Sequence, residues 1–498
     1  MEKNNKKIII IGAGPGGLTA GLLLSSKGFD VQIFEKLSIP GGRNSSINLK
    51  GFTFDVGPTF LMMKFVLDDI FMRAGYRAQD YLNFTELSPM YRLFFNNYDI
   101  DIYRQKEKMR NELEAKFGKS DADGLDKFYK EESKRYEHLM PCLQKDYSFF
   151  RRFFEKEFIS SLPFFALGKS LFGQLGSYFK NSEARLCFTF QSKYLGMSPW
   201  ECPGAFAIIP YIEHQFGIYH VEGGLSKISE VMSRLIIENK GQINYNCQVK
   251  KIITEGNKAV GVELENGQKY YGDKIIINSD FAYSMANLFD ENINKKYSRE
   301  KLKNKKYSCS TFMIYLGLDK MYENLQHHSI VFAKEYKKNV DAVFNGKFTQ
   351  KDFSLYVRNA CINDATIAPE KYSQLYILIP APNRNLGPDI DWKKTETEIY
   401  EKTINILKDR LGLKDIEEHI LIKKMISPID WENDYNVYYG ATFNLAHNLG
   451  QMLWFRPRNK LEGFENCFLV GGGTHPGSGL PTIYQSAIIS SNMIIKEK

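Results

Sequence analysis

The chain has 498 residues, 43% of them hydrophobic and 14% aromatic, which is enough for a large core and for two or three domains. Lysine and arginine number 66 against 58 aspartates and glutamates, so the net charge of +8 is mild. Such a charge suits an anionic membrane surface or an anionic cofactor without requiring either. The composition indicates a globular protein, for which we predict no nucleic-acid partner.

Cysteine and histidine spacing argues against a metal centre and against a disulfide framework. The seven cysteines are scattered, and the eight histidines form no HxxxH or HExxH pattern. We therefore expect reduced, mostly buried thiols and no bound metal. Apart from the first, glycine-interrupted segment, no apolar run reaches the length of about 18 residues that spans a bilayer. We expect a cytoplasmic location.

The start of the chain predicts a strand, a turn, a helix and a second strand. Ile8–Ile11 is a β-branched run, typical of a strand buried on both faces of a parallel sheet. A helix is predicted over Leu18–Ser26, with Gly28 as its stop. The second strand, Val31–Phe34, ends at Glu35. Because glycines break the apolar run, we do not interpret it as a secretory signal.

The glycines between the first strand and the helix follow G-x-G-x-x-G, a pattern that is weak alone but strong in this context. They allow a tight turn, close approach of a pyrophosphate and packing of helix on strand, and the helix N-terminus attracts phosphate. Glu35 would accept hydrogen bonds from ribose hydroxyls. The residues assigned here to a dinucleotide are Gly12, Gly14, Pro15, Gly16, Gly17, Glu35 and Lys36.

A second glycine turn follows where a nicotinamide-binding domain would normally continue into another βαβ repeat. In this turn an arginine follows two glycines, and its guanidinium is suited to closing over a diphosphate. An exposed loop arginine is the alternative interpretation. The segment FDVGPT comes next. We add to the cofactor residues Gly42, Arg43, Gly57, Pro58 and Thr59.

Further motifs occur in the order of one known family. After the opening fingerprint, GGR and FDVGPT come GIYHVEGGLSKISE at 217–230 and FLVGGGTHPGSGLPTIYQSA at 468–487. Together they resemble the carotenoid (phytoene-type) desaturases, which are FAD-dependent members of the amine-oxidase-like flavoprotein superfamily. The resemblance covers essentially the whole chain. It implies an α/β fold with a Rossmann-like FAD-binding domain, a mixed-sheet substrate domain and a helical, membrane-associating subregion.

The resemblance also implies how the chain is divided. The FAD-binding domain would combine segments 1–95, 216–284 and 441–498. Segment 96–215 would form the substrate and membrane-associating region, and 285–440 the rest of the substrate domain. Within the second FAD segment, 243–280 predicts several antiparallel strands with an Asn-Gly hairpin turn.

The C-terminal motif predicts a strand over Phe468–Val470, a glycine loop and a helix from about Thr482. Where many relatives carry an aspartate that contacts the cofactor, this chain has Gly473, so that contact would fall to backbone N–H groups. By resemblance, Val249 would meet the adenine through its backbone. The resemblance adds to the FAD residues Val249, Gly472, Gly473, Gly479, Leu480, Pro481 and Thr482.

The resemblance implies that the substrate is an apolar polyene precursor with 30 or 40 carbons, from which FAD accepts a hydride. Phe149–Phe179 is rich in phenylalanine and carries Arg151, Arg152, Lys156 and Lys169. Its proline and glycine breaks make it unsuited to span a bilayer, but it could lie in the membrane interface. We expect peripheral membrane association there and a gate for substrate, with a buried helix pair as the alternative.

Three residues are candidate acid/base groups for catalysis: His475, Glu213 and His214. A purely structural role is the alternative for each. Two other activities of the family remain open, terminal oxygenation of a polyene and polyene isomerisation with reduced FAD. An isoprenoid-binding protein without redox chemistry is a third possibility, although it would not need the intact phosphate motif. The sequence does not indicate an oligomeric state.

Overall fold

A computed structural model describes residues 4–147, 154–290, 295–348 and 352–497. Its strands are β1 (Asn4–Ile11), β2 (Phe29–Phe34), β3 (Ser46–Leu49), β4 (Phe52–Asp55), β5 (Phe84–Glu86), β6 (Tyr91–Phe94), β7 (Asp99–Ile102), β8 (Tyr219–Val221), β9 (Gln242–Asn244), β10 (Val249–Glu255), β11 (Lys258–Leu264), β12 (Lys269–Tyr271), β13 (Lys274–Ile277), β14 (Ser310–Leu318), β15 (His328–Val331), β16 (Leu355–Arg358), β17 (Ser373–Ala381), β18 (Ile420–Ile426) and β19 (Cys467–Leu469).

The α-helices of the same residues are α1 (Pro15–Ser25), α2 (Lys64–Arg73), α3 (Lys106–Phe117), α4 (Lys119–Leu143), α5 (Lys156–Ser161), α6 (Leu171–Leu175), α7 (Ser182–Leu186), α8 (Ile208–Phe216), α9 (Ser226–Glu238), α10 (Phe281–Asn287), α11 (Arg299–Lys303), α12 (Tyr336–Phe344), α13 (Trp392–Arg410), α14 (Pro428–Tyr435) and α15 (Leu480–Lys496).

A five-stranded parallel sheet joins the two ends of the chain. Its order is β19-β13-β1-β2-β9, so only β13 separates the first strand of the chain from the last one. Ile8–Ile11 lies in the middle of the sheet and is at most 4% exposed. The predicted strand–turn–helix–strand unit is confirmed. Helix α1 begins three residues earlier than predicted, because Gly14 accepts the first helical hydrogen bond, from Leu18 N.

The strands predicted over 243–280 divide between two sheets. β10, β11 and β12 form the expected antiparallel layer. The outer pieces, β9 and β13, pair in parallel with β2 and β1 instead. β13 repeats the isoleucine run of β1, and such a continuous apolar run fits the interior of a parallel sheet. The expectation of antiparallel pairing was therefore wrong for these two strands.

A mixed seven-stranded sheet supplies the second layer, in the order β18-β14-β17-β16-β15-β6-β7. Its neighbours are antiparallel except β15 and β6. On β14, Phe312 and Ile314 pack in the core beneath α13, whereas Thr311 and Met313 face the opposite side. This alternation gives the sheet one face for the core and one for a cavity.

Helices α3 to α8 fall in or at the end of segment 96–215, which the sequence analysis predicts as the substrate and membrane-associating region. No helix among the described residues has the length and hydropathy needed to cross a bilayer. The segment limits given above stay predictions. One observation bears on them: β6 lies inside segment 1–95, yet it pairs with β15 of the seven-stranded sheet.

Gly17→Ala tests the packing of α1 against the first turn. A Cβ at this position would lie 2.2 Å from the carbonyl oxygen of Gly12, so backbone must shift. We expect a loss of roughly 1–3 kcal/mol in the free energy of unfolding, as for other overpacked sites. Thermal or urea unfolding measures it. Gly450→Ala, with no atom within 4 Å of the new methyl group, is the control; equal stability of the two variants would contradict this packing.

Candidate active site

One large cavity lies between the glycine turns of the parallel sheet and the open face of the seven-stranded sheet. The volume open to the centre of a water molecule is about 370 Å³. Its wall includes Gly12 and Gly14 from the beginning of the chain, and Gly472 and Gly479 from the end. The cavity therefore exists only because the two chain ends fold together.

Two helix N-termini open on this cavity. Helix α1 starts after Gly14 and α15 starts after Gly479, and neither helix has a side-chain cap. The unpaired N–H groups of a first helical turn, together with the helix dipole, bind phosphate well. Gly12 and Gly479 have φ values of +94° and +111°, which side-chain-bearing residues rarely adopt. The geometry suits an anionic ligand held by backbone.

Glu35 is fixed at the end of β2, in the cavity wall. Its Oε2 accepts from Ala13 N at 2.6 Å and its Oε1 from Leu37 N at 2.9 Å. Burial raises the pKa of this carboxyl, and the hydrogen bonds from backbone act against that rise. A carboxylate held in this way can accept hydroxyl donors from the cavity, as a ribose would provide.

Arg43 forms a buried polar cluster at the same end. Its Nη1 donates to the carbonyl oxygen of Thr442 at 2.5 Å. With its amide turned to satisfy both partners, Asn444 accepts from Arg43 Nη2 at 3.0 Å and donates to Asp280 Oδ2 at 2.6 Å. Burial raises the pKa of Asp280, and the guanidinium of Arg43 opposes this shift. The cluster sets a cation in the wall beside the glycine turns.

The other half of the cavity is apolar. Strands β14, β15 and β17 contribute Met313, Ile330 and Leu378, and Phe60, Met62 and Phe190 also line this half. Apolar side chains of this kind contribute shape and exclude water, and they offer no hydrogen bonds to a ligand.

A hydrogen-bonded chain leads from the cavity into the protein. Thr59 Oγ1 and Tyr356 Oη, which both line the cavity, are 2.8 Å apart, and Tyr356 Oη is 2.8 Å from His328 Nδ1. The His328 ring stacks on Phe60 with centroids 4.1 Å apart. Burial and the neighbouring His327 and Arg358 lower the pKa of His328 well below its usual value, so the ring stays neutral and takes part in the chain as a hydrogen-bond partner.

The structure brings most of the predicted cofactor residues to this one cavity. Those in its wall are Gly12, Gly14, Pro15, Glu35, Lys36, Gly42, Arg43, Gly57, Pro58, Thr59, Val249, Gly472, Gly479, Leu480 and Pro481. Four others, Gly16, Gly17, Gly473 and Thr482, lie behind the wall. There Gly16 and Gly473 permit close packing: a Cβ would come within 2.7 Å of Asn278 at the first and 2.5 Å of Phe281 at the second. All these assignments stay predictions.

The three catalytic candidates lie outside the cavity wall. Glu213 is buried on α8, where Tyr91 Oη and Gln191 Nε2 donate to its Oε2. Burial lowers the pKa of His214 to about 4 and that of His475 to about 3, so both are neutral at physiological pH. His475 packs edge-on against the Tyr147 ring. Their roles stay predictions, and their positions favour structural ones.

Sequence reasoning missed Asn278, His328 and Tyr356, which become neighbours of the site only through long-range pairing. It also missed Asp55, whose carboxylate accepts from Leu225 N and Ser226 N at the start of α9. Two signals could have indicated Asp55: the Phe-Asp pair at the start of FDVGPT and the two glycines of GIYHVEGGLSKISE. A Cβ on Gly224 would approach Asp55 Oδ1 to 2.7 Å, which explains that glycine.

Comparison with known proteins agrees with this geometry. The family profile described as flavin containing amine oxidoreductase matches residues 15–495. The chain belongs to this family. A 4,4'-diapophytoene desaturase (4,4'-diapolycopene-forming) from Methylomonas is 51% identical over 99% of this chain and 95% of that protein. An all-trans-zeta-carotene desaturase from Myxococcus xanthus is 34% identical, covering 99% and 94%. The protein is thus an FAD-dependent oxidoreductase of the carotenoid desaturase group.

A solved structure supports the fold. An oxidoreductase from Methanosarcina mazei superposes with a TM-score of 0.65 at 18% identity, covering 99% of this chain and 100% of that one. The residues present fit FAD: two uncapped helix N-termini and Arg43 suit its phosphates, and Glu35 suits its ribose. These residues would hold FAD, which would supply a hydride acceptor to the cavity.

Glu35→Gln tests the ribose side of this cavity. A glutamine cannot accept from both Ala13 N and Leu37 N, so one donor faces an amide NH₂ group and the charge is lost. We expect FAD affinity to fall by about tenfold, roughly the contribution of one hydrogen bond to a charged group. Flavin fluorescence during reconstitution measures the dissociation constant. Glu255→Gln, at an exposed strand end, is the control; unchanged affinity in Glu35→Gln would contradict the assignment.

Proposed function

We propose that this protein is an FAD-dependent carotenoid desaturase that introduces conjugated double bonds into 4,4'-diapophytoene, a precursor with 30 carbons. The observation that carries the proposal is the 51% identity, along nearly the whole chain, to a desaturase of that substrate. The cavity supports it, because its cofactor half is polar and its other half is lined by apolar side chains. A terminal oxygenase or an isomerase on the same fold is the competing assignment.

The cavity walls would do three things for this reaction. FAD, when bound, supplies the hydride acceptor. Met313, Ile330 and Leu378 on the sheet would hold an extended hydrocarbon flat against the cofactor, and Phe60 and Phe190 would keep water from the reacting carbons. Since the substrate offers no hydrogen bonds, its selection by length depends on the shape of the cavity.

A hydrogen-bonded chain also starts in the cavity, and we assign it a positioning role. It runs from Thr59 through Tyr356 to His328, as described above. Burial raises the pKa of Tyr356 and lowers that of His328, so both groups stay neutral, and the chain holds the cavity wall in place without storing a proton.

An exposed apolar segment lies on one route to the cavity, and we propose that it docks on the membrane surface from the cytoplasmic side. Phe154, Ile159, Leu162 and Leu167 are 47–70% exposed. Phe149, Arg151 and Arg152 of the predicted segment lie outside the described residues. Exposed Lys156 and Lys169 flank the segment and suit anionic headgroups.

The same segment packs against a residue of the cavity wall. Phe164 and Phe165 pack in one hydrophobic cluster with Met62, and Met62 lines the cavity. Apolar side chains are therefore continuous from the exposed segment to the cavity wall. This continuity supports the predicted role of the segment as a gate.

Co-expression with synthases for the colourless precursors tests the substrate assignment. We expect 4,4'-diapophytoene to yield conjugated hydrocarbons without added carbonyl mass, with a preference over phytoene of about tenfold or more. Pigment chromatography with mass detection reads the outcome. Pigment from phytoene alone, or products that carry carbonyl groups, would contradict the proposal.

A fourfold serine variant at Phe154, Ile159, Leu162 and Leu167 tests membrane docking. At ~1 kcal/mol for each apolar side chain no longer removed from water, liposome affinity should fall roughly a hundredfold or more. Cosedimentation with anionic vesicles measures it, with bound FAD as the folding control. Serine at three similarly exposed positions, Ile237, Tyr271 and Leu421, is the comparison variant. Equal cosedimentation of both variants would place the docking surface elsewhere.

A further inference from the structure

The apolar half of the cavity ends at a lysine that a hydrocarbon substrate does not require. Lys193 lies on a 3₁₀-helical turn, Phe190–Leu195, and lines the large cavity. It also lines a second, much smaller cavity, together with Cys309 and Pro380, which border both spaces. Lys193 therefore stands at the junction of the two cavities.

The amine of Lys193 has no counter-ion. Among the described residues no carboxylate lies within ion-pair distance of Nζ, and Nζ makes no hydrogen bond to a side chain or to the backbone. Its one contact of note is the face of the Tyr336 ring, with Nζ 5.2 Å from the centroid. Burial lowers the pKa of this amine to about 8, so it is still mostly protonated at pH 7. Lys193 is half-buried and lines the cavity, so an anionic ligand there would gain a charge partner that no described residue supplies.

A second hydrogen-bond donor, the hydroxyl of Tyr336, lies near Lys193. Tyr336, on α12, lines the small cavity and is 6% exposed, and its hydroxyl has no hydrogen-bond partner in the described part of the chain. Burial raises the pKa of this hydroxyl, so it is a donor. An ammonium on the wall of both cavities and a phenol side chain on the small cavity match a ligand that has an acceptor at the end of an apolar chain.

We propose that the junction of the two cavities is a binding site for the carboxylate of a long apolar chain, with Lys193 as its counter-ion and Tyr336 as a second donor. The chain itself would lie in the apolar half of the large cavity. Polyene acids and fatty acids share this chemistry. The site goes beyond desaturation of a hydrocarbon, because it gives the protein a second class of ligand that is held by charge.

Among the described residues, the surroundings of Lys193 contain no competing anion. The titratable groups that share the small cavity with it are Tyr336 from α12 and Cys309, which directly precedes β14, and burial raises the pKa of the Cys309 thiol to about 12. The acidic groups in the wall of the large cavity, Glu35 and Asp280, are held at the cofactor end by backbone N–H groups and by Arg43. An incoming carboxylate would thus meet a cation that is not already paired.

The test compares acids with their methyl esters on the FAD-loaded full-length protein. Two probe pairs are used, all-trans-retinoic acid with methyl retinoate and oleic acid with methyl oleate. Quenching of tryptophan fluorescence or equilibrium dialysis gives each dissociation constant. For at least one pair we expect the acid to bind about tenfold or more tightly than its ester at pH 7, as for a close charge pair. The pair that shows this preference identifies the class of ligand. A preference in both pairs means that the site does not distinguish polyene acids from fatty acids.

The pH dependence has a definite sign. The free amine loses its proton as the pH rises through about 8, so acid binding should weaken above that pH while ester binding stays constant. Lys193→Met should remove the preference for the acid and keep ester binding and FAD binding, and Tyr336→Phe should reduce the preference by a few-fold. Lys334→Met, at an exposed position before α12, is the control and should keep the preference.

Two outcomes would overturn the proposal. One is equal binding of acid and ester to the wild-type protein in both pairs. The other is an acid preference that persists in Lys193→Met, which would locate the anion site elsewhere. Neither outcome bears on desaturation, because pigment formation from 4,4'-diapophytoene is measured separately with the wild-type protein.

Discussion

The side chain of Asn278 holds the cofactor end of the molecule together. It follows β13, between the first and the last strands of the parallel sheet, and its Nδ2 donates to the carbonyl oxygen of Gly12 at 3.0 Å. A Cβ at Gly14 or Gly16 would come within 2.9 or 2.7 Å of this side chain. Only glycines let the first turn close over Asn278, and a Cβ on Gly16 would also lie 3.2 Å from Gly471 N. The motif glycines at both chain ends are therefore required by the same close packing around Asn278.

This packing produces a cavity with one polar side and one apolar side. The closely packed glycine turns leave two uncapped helix N-termini on one side, where charge and hydrogen bonding can hold a dinucleotide. The alternation of side chains along β14 and β17 turns an apolar face to the other side. A hydride acceptor and a water-insoluble chain can thus meet beside apolar side chains that exclude water from the reacting carbons, which favours the removal of hydrogen from a hydrocarbon.

Local features of the site could be predicted from the sequence, and long-range ones could not. The unit from β1 to Glu35 is contiguous, so its strand, turn and helix signals could be interpreted in order. The parallel pairing of β13 was missed, although Lys274–Ile277 repeats the isoleucine run of β1. Tyr356 and His328 lie on neighbouring antiparallel strands, and they contact Thr59 of FDVGPT and the following Phe60 only after the sheet has formed. No spacing in the sequence encodes that contact.

The catalytic candidates show the same limit. His475 lies within the most specific motif, yet its ring faces Tyr147 and is buried away from the cavity. Its neighbours in sequence, Gly472 and Gly479, do line the cavity. A motif thus predicted the loop correctly, but it did not predict which side chains of the loop face the ligand.

The central claim is that one flavin, bound by residues from both chain ends, accepts the hydrogen of the polyene directly in the apolar cavity. Anaerobic mixing of the FAD-loaded protein with 4,4'-diapophytoene, without any other electron acceptor, tests it in a single turnover. The account predicts that the absorbance of oxidised flavin disappears in step with the formation of one new double bond for each protein chain. Double-bond formation while the flavin stays oxidised, or flavin bleaching without any change in the polyene, would contradict it.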